Sequence, residues 1–317
     1  MKKALVTGIC GFVGRHLSEL LIKKGYMVYG IYQLPADIDL LPSQMKEQLT
    51  LFECDITESE KIRQIFLSHD FDLVFHLAGI AHVPFAEKNL ETAFSVNVIG
   101  TGNILNALKE KPNCQMIYVS SSEVYAPMPE EKMPYTESHL VSPSNIYGIT
   151  KYSAEMLCSL YSKKWDLKII IFRPFNHIGP YQSPLFVAQE FARKIALIEK
   201  GQNEPEIKVG NLEVMRDFSD VRDIVEGYVL AAECIHNSEL FNICSGNAIK
   251  IRELLDQLLS ISTIKIKVTV DETKFRKNDN LLLKGSYRKL NKLTGWEPKI
   301  PLSKSLTDIL NYWRQNI

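Results

Sequence analysis

The chain has 317 residues, with 37 Lys+Arg against 37 Asp+Glu, so its formal charge at pH 7 is zero. That balance gives no general electrostatic attraction to nucleic acid or to an acidic membrane surface. Hydrophobic residues make up 45% and charged residues 23%, a globular composition that argues against disorder, and no apolar run approaches the roughly 20 residues of a membrane helix.

The first residues, Met1-Lys2-Lys3 and a short apolar run, begin like a secretory leader, but Thr7-Gly8 interrupts the run before an apolar region can form. Residues 2–7 read as a strand. Residues 12–24 put Leu17, Leu20 and Leu21 on one face and read as a helix. Further strands are expected at 27–31, 49–54, 73–76, 115–120 and 167–172, and helices at 58–68, 87–109 and 145–164. Residues 33–48, with Pro35 and Pro42, read as a loop. This alternation predicts a Rossmann-type doubly wound parallel sheet with helices on both faces.

After Arg173-Pro174 the rhythm changes, with Gly179, Pro180 and Pro184 close together. A smaller C-terminal α+β lobe is expected there. Residues 1–175 would form the dinucleotide-binding domain, with a return at about 220–244 that includes a helix at 220–233. Residues 176–317 would form mainly the substrate lobe. Cys10, Cys54, Cys114, Cys158, Cys234 and Cys244 are scattered, with no CxxC pair. No disulfide or metal site is expected, and a reducing cytoplasm is the simplest home.

Thr7-Gly8-Ile9-Cys10-Gly11-Phe12-Val13-Gly14 joins the first strand to the first helix. Glycine lets the backbone turn sharply and lets a phosphate reach the helix N-terminus, where free N–H groups and the dipole favour an anion. Gly8, Gly11, Phe12, Val13 and Gly14 are therefore candidates to hold a dinucleotide, although GxxGxxG also suits a purely structural turn. Ile31-Tyr32-Gln33, after the second strand, offers neither an acid for a ribose hydroxyl nor an arginine for a 2′-phosphate. Asp55-Ile56 follows the third strand, where Asp55 could accept from an adenine amino group or simply cap the next helix. Leu77-Ala78-Gly79 after His76 ends the fourth strand with small residues that leave room for a cofactor.

Ser121 lies in Ser120-Ser121-Ser122-Glu123-Val124-Tyr125, just past a strand, and Tyr147 and Lys151 are four apart on one helix face. A free tyrosine, with a pKa of about 10, is a poor base at neutral pH. A nearby ammonium, with an oxidised nicotinamide, would favour its phenolate. Such a tyrosine can exchange a proton with a carbonyl or alcohol oxygen that a serine hydroxyl positions, which supports hydride transfer.

Together these residues resemble the extended short-chain dehydrogenase/reductase family, in its nucleotide-sugar branch, from Thr7-Gly8 to Gly295-Trp296-Glu297-Pro298. Within it, Arg173-Pro174-Phe175-Asn176-His177-Ile178-Gly179-Pro180, Val209-Gly210-Asn211-Leu212-Glu213, Arg216-Asp217-Phe218-Ser219-Asp220-Val221-Arg222-Asp223 and Cys244-Ser245-Gly246 are similar to the GDP-4-keto-6-deoxy-D-mannose reductases. The resemblance implies catalytic roles for Ser121, Tyr147 and Lys151, with NADPH or NADH as cofactor and a GDP-linked 4-keto-6-deoxy sugar as substrate. Glu123 stands where 4,6-dehydratases keep an acid–base glutamate, but the reductases keep one there too. Ser121, Ser122, Asn176, Arg216, Arg276 and Asp279 would bind the sugar nucleotide. Asp279 stands where glutamate is usual, Lys277 where proline is usual and Ala126 where glycine is usual. In relatives the helices matching 87–109 and 145–164 pack against a partner's pair, so a homodimer is expected.

A GDP-mannose 4,6-dehydratase is the alternative; the missing arginines after the second strand weigh against it. A non-catalytic dinucleotide sensor is the third reading, opposed by the presence of Tyr147 and Lys151. Arg222 with its neighbouring acids could equally be a solvated ion-pair cluster, and His177 a structural loop residue. His76 and His82 read as packing or loop residues.

Overall fold

The computed structural model describes residues 1–275 and 281–317. Strand β1 (Lys3–Thr7) leads into α1 (Phe12–Lys23), then β2 (Met27–Tyr32), a short α2 (Ser43–Lys46), β3 (Leu49–Glu53), α3 (Ser59–Ser68) and β4 (Leu73–His76). Next come α4 (Val83–Lys88), α5 (Leu90–Phe94), α6 (Thr101–Leu108), β5 (Gln115–Val119), α7 (Ile146–Trp165) and β6 (Ile169–Pro174). The second half runs β7 (Asn176–Ile178), α8 (Val187–Glu199), β8 (Glu206–Val209), β9 (Met215–Asp220), α9 (Val221–Cys234), β10 (Glu239–Ile243), β11 (Ala248–Lys250), α10 (Ile251–Ser260), β12 (Lys267–Val270), β13 (Leu282–Leu283), α11 (Arg288–Thr294) and α12 (Leu302–Asn316).

The main sheet has the order β10-β6-β5-β4-β1-β2-β3, and every adjacent pair in it is parallel. It is the Rossmann-type sheet expected from the alternation. Its central strands are apolar on both faces, as a sheet covered on both sides requires: Ala4, Leu5 and Val6 of β1 are all buried. One face packs Leu17, Leu21 and Tyr228 from α1 and α9, the other Ile62, Ile104 and Cys158 from α3, α6 and α7. In the smaller lobe β9 pairs antiparallel with β11 and parallel with β7 and β13, while β8 pairs with β12. Ile195, Leu254, Leu258, Ile309 and Leu310 fill its own core, from α8, α10 and α12.

Two segments differ from the sequence reading. The helix expected at 87–109 is broken at Asn89 and carries a π-helical stretch, Ser95–Gly100. Asn97 explains the stretch: its buried amide accepts from the Ile80 N–H at 2.8 Å and donates to the Ile80 carbonyl at 3.1 Å and to Thr150 Oγ1 at 2.9 Å. Those bonds hold one turn of helix against its neighbours. The loop expected at 33–48 contains a 3₁₀ helix, Pro35–Leu40, and α2; proline begins the former, where its missing N–H costs nothing.

The two lobes meet along α1. Phe12 stacks on His177, with ring centroids 5.8 Å apart. His16 Nε2 donates to the Pro180 carbonyl at 3.0 Å. Arg15 donates to the carbonyls of Leu40 at 3.1 Å and Tyr181 at 3.0 Å, with its guanidinium 4.5 Å over the Tyr181 ring. Behind the sheet Trp296 is buried against α9 and its Nε1 donates to the Asp223 carbonyl at 2.8 Å. Trp296→Ala removes a fully packed indole and should cost about 3–5 kcal/mol, measured as a fall in the free energy of unfolding in urea.

Candidate active site

All the strands of a parallel sheet end at one rim, and the candidate residues gather there. At β1 the turn into α1 is set by close approaches. Gly8 has φ +69, and a Cβ on it would lie 2.9 Å from Ala78 Cα. A Cβ on Gly14 would lie 2.3 Å from the Gly8 carbonyl oxygen. Helix α1 starts at Phe12 with Gly11 as its cap, no capping side chain and no acid in its first turn. Its N–H groups thus face a cradle shaped by glycine, which fits a dinucleotide pyrophosphate. Val13 is half-buried and packs on the core behind that turn.

Thr7 ties this turn to β4. Its Oγ1 accepts from the N–H groups of Leu77 at 3.2 Å and Ala78 at 3.1 Å, and lies 2.8 Å from His76 Nδ1. Thr101, which donates to the Asn97 carbonyl at 2.7 Å, lies 3.0 Å from His76 Nε2. The network therefore assigns the proton of His76 to Nε2 and a donor role to the Thr7 hydroxyl. Burial, and then the Lys151 charge, push the His76 pKa down to about 3, so His76 is a neutral packing residue, as expected. Gly79 leaves room beside Lys151: a Cβ there would lie 3.7 Å from its Nζ.

Asp55 does not cap α3; that position is Glu58. Instead Oδ1 of Asp55 accepts from the Thr57 N–H and hydroxyl, both at 2.8 Å, and Oδ2 accepts from Gln33 Nε2 at 2.8 Å. The cap lies three residues further on, and the carboxylate is joined to Gln33, just past the end of β2. The Ile56 side chain is buried in the core beneath Gly100.

Helix α7 carries Tyr147 and Lys151. Asn145 caps it, accepting from the Gly148 N–H at 2.8 Å, and donates with Nδ2 to the Glu123 carboxylate at 2.7 Å. A Cβ on Gly148 would lie 2.4 Å from the Glu123 carbonyl oxygen, so only glycine lets the helix come this close to the Ser121–Glu123 segment. Ser121 accepts from the Glu123 N–H at 3.1 Å, its hydroxyl lies near enough to the Tyr147 phenol to lower that pKa, and the buried Ser122 starts the short 3₁₀ turn that follows. Lys151 Nζ donates to the Val119 carbonyl at 2.6 Å and stands 5.2 Å from the Tyr118 ring centre.

In the protein alone both Tyr147 and Lys151 are shifted toward their neutral forms. Burial pushes the Tyr147 phenol up to about 12; the Ser121 hydroxyl draws it down, and Glu123 adds to the rise. Burial also pushes the Lys151 ammonium down to about 8. Desolvation is the largest cause of both shifts.

In the smaller lobe Asn176 pairs with Phe218 across β7 and β9, two residues from Arg216 and on the same face. The Asn176 Nδ2 is buried with no hydrogen-bond partner among the described residues. Arg216 donates to the Met215 carbonyl at 2.9 Å. Arg276 and Asp279 lie outside the described residues. Arg222 pairs with Asp220 at 2.7 Å and Asp308 at 2.9 Å, the ion-pair reading. His177 donates to the Phe175 carbonyl at 3.1 Å and stacks on Phe12, a packing role. Sequence reasoning missed Asn97, Asn145 and Gly148. Asn145 was detectable as a capping residue before an apolar-periodic helix; the others had no local signal.

Comparison with known proteins matches residues 5–309 to the family model described as GDP-mannose 4,6 dehydratase. The chain is 32% identical to GDP-6-deoxy-D-mannose reductase of Pseudomonas aeruginosa, over 100% of this chain and 98% of that one. It is 27% identical to GDP-mannose 4,6 dehydratase of Dictyostelium discoideum, over 98% and 95% respectively. Among solved structures, RMD from Pseudomonas aeruginosa complexed with NADPH superposes with a TM-score of 0.87 at 31% identity, covering 100% of both chains. The UDP-glucuronic acid 4-epimerase of Bacillus cereus, in complex with UDP-glucuronic acid and NAD, gives 0.87 at 27% identity, covering 99% of this chain and 100% of that one.

The glycine cradle yields a test of its own. Gly14→Ala drives a methyl group into the Gly8 carbonyl, so affinity for reduced nicotinamide cofactor should fall at least about tenfold, read by fluorescence titration of the cofactor.

Proposed function

The chain belongs to the GDP-mannose 4,6 dehydratase family, and from that premise we propose that it is an NADPH- or NADH-dependent reductase of the C4 keto group of a GDP-linked 4-keto-6-deoxy sugar. The observation that carries this reading is the meeting of Ser121, Tyr147 and Lys151 beside the open α1 turn. Full-length likeness to the Pseudomonas reductase favours reduction over the other reactions of the family. When bound, the reduced nicotinamide supplies the hydride that reaches C4. Ser121 and Tyr147 would hold the C4 oxygen. A phenol pushed up to about 12 is protonated at neutral pH, the form that can deliver a proton to the new alkoxide. Lys151, with a pKa near 8, is still mainly charged there; it would stabilise negative charge on the tyrosine and hold the nicotinamide ribose. Asn176 and Arg216, on one sheet face, would take the diphosphate, and the unpartnered Asn176 amide supports that role.

The second reading is a 4,6-dehydratase, favoured by the Glu123 carboxylate held beside α7 by Asn145. It would remove the C5 proton and recycle its cofactor within one turnover.

The partner of this chain would be a second copy of itself. Ile149, Met156 and Leu160 form one exposed apolar stripe on α7, and α5 and α6, with exposed Leu90 nearby, pack against that helix. Burying such a stripe in a helix pair is the favourable outcome. The reading also has the enzyme working in the cytoplasm, where six free cysteines stay reduced. No helix among the described residues is long and apolar enough to cross a membrane.

Incubation with the 4-keto-6-deoxy substrate should consume reduced cofactor stoichiometrically, followed at its absorbance band, and GDP-mannose alone should give nothing. A 4-keto product from GDP-mannose without added reduced cofactor would favour the dehydratase. Tyr147→Phe should lose about 10²–10⁴-fold in turnover while still binding cofactor, and Lys151→Ala should weaken both. Glu123→Gln should leave a reductase substantially active. Light scattering at micromolar concentration should give a dimer mass, and the Met156→Glu/Leu160→Glu double variant a monomer.

A further inference from the structure

We propose that Glu155 is a positioning residue for Lys151: its carboxylate, fixed by a buried ion pair with Arg173, keeps the charge on the lysine one helical turn earlier. The inference rests on the reading of Lys151 as the partner of Tyr147 given above. Glu155 and Lys151 are four apart on α7 and share a face. Arg173, on β6, donates Nε to Oε1 of Glu155 at 3.0 Å and to Oε2 at 3.3 Å, and Nη2 to Oε2 at 2.7 Å. Only 4% and 5% of the two side chains are exposed. A buried pair is weak support for stability, because desolvating both ions offsets their attraction. Its location therefore calls for a role beyond stability.

The arginine is held on its other side as well. Its guanidinium lies 4.8 Å from the Tyr125 ring centre. Tyr125 donates to Asn242 Oδ1 at 2.6 Å, and Asn242 Nδ2 donates to the Tyr135 carbonyl at 3.0 Å. Arg173 cannot easily swing away, so the Glu155 carboxylate is held in place.

The groups that face Lys151 leave Glu155 as the source of negative charge. On α7 they are Tyr147, Glu155 and Cys158; on β5 the Tyr118 ring and the Val119 carbonyl; on β4 His76. Burial pushes the Tyr118 phenol and the Cys158 thiol far up and holds His76 neutral. Tyr147 is protonated at neutral pH. Burial lowers the Lys151 ammonium, and Cys158 and Glu155 oppose that fall; of those two, the Cys158 thiol is itself pushed far up by burial, which leaves the carboxylate paired with Arg173.

The test is the pH dependence of reduced-cofactor binding, which needs no sugar substrate. Wild-type affinity should weaken above about pH 8, as Lys151 loses its proton, and Lys151→Met should abolish that limb. Glu155→Gln should move the limb down by about one unit and lower the melting temperature, because Arg173 is left unpaired. Glu155→Gln/Arg173→Met carries no unpaired charge. It should recover melting temperature yet keep the shifted limb, and it decides the matter if the single variant does not fold. Glu155→Asp should keep the wild-type limb. A double variant with its limb back at the wild-type position would show the pair to be merely structural and overturn the proposal. A limb that depends on Lys151 but ignores Glu155→Gln would overturn it too, leaving the functional reading intact. A limb that survives in Lys151→Met would count against that reading and remove the basis of this one.

Discussion

Polar groups taken out of water at the carboxyl rim of the sheet must find partners inside the protein, and much of the site follows from how they do so. Thr7 and His76 satisfy one another, and in doing so fasten the glycine turn to the end of β4. Asn97 saturates its amide on Ile80 and Thr150, breaking the regular helix as it does. Asn145 serves two partners, the first turn of α7 and the Glu123 carboxylate. Each bond is local housekeeping. Their sum fixes the glycine turn, the Ser121–Glu123 segment and the first turns of α7 at this rim.

The smaller lobe is organised by the same constraint around Asp217. This carboxylate is fully buried and accepts from Ser245 N at 2.8 Å, Ser245 Oγ at 2.6 Å, Gly246 N at 3.0 Å and Gly285 N at 3.2 Å. Burial raises its pKa to about 6, and the hydrogen bonds only partly oppose the rise. It joins β9, the turn after β10 and the segment after β13, so the strand bearing Arg216 is tied to the sheet that bears the cofactor turn. Contacts of Phe12, Arg15 and His16 with residues 177–181 complete the link. The two lobes are thereby held together along one helix, α1.

Tyr147 and Lys151 show what desolvation does to buried titratable groups. Tyr147 stays protonated and Lys151 is brought within reach of deprotonation. A protonated phenol suits proton delivery during reduction, whereas abstraction from an alcohol would need added positive charge nearby. The environment thus leans in the same direction as the full-length likeness to a reductase.

Much of the fold was legible in the sequence. Strand–helix alternation, the glycine turn and the four-residue spacing of Tyr147 and Lys151 are local patterns, and local patterns determine element type and face. The register of the motifs also held, because β1, β4 and α7 begin and end on strong turn and capping signals. What the sequence left open was decided by contacts between distant residues. The π-helical stretch within 87–109 depends on Ile80 and Thr150, far from Asn97 in the chain. The separation of Asp55 from the cap of α3 depends on Gln33, and the nearness of Glu123 to α7 depends on a single missing Cβ at Gly148. The protonation states of Tyr147 and Lys151 follow from burial. Burial is a property of the packed whole that no spacing of residues records.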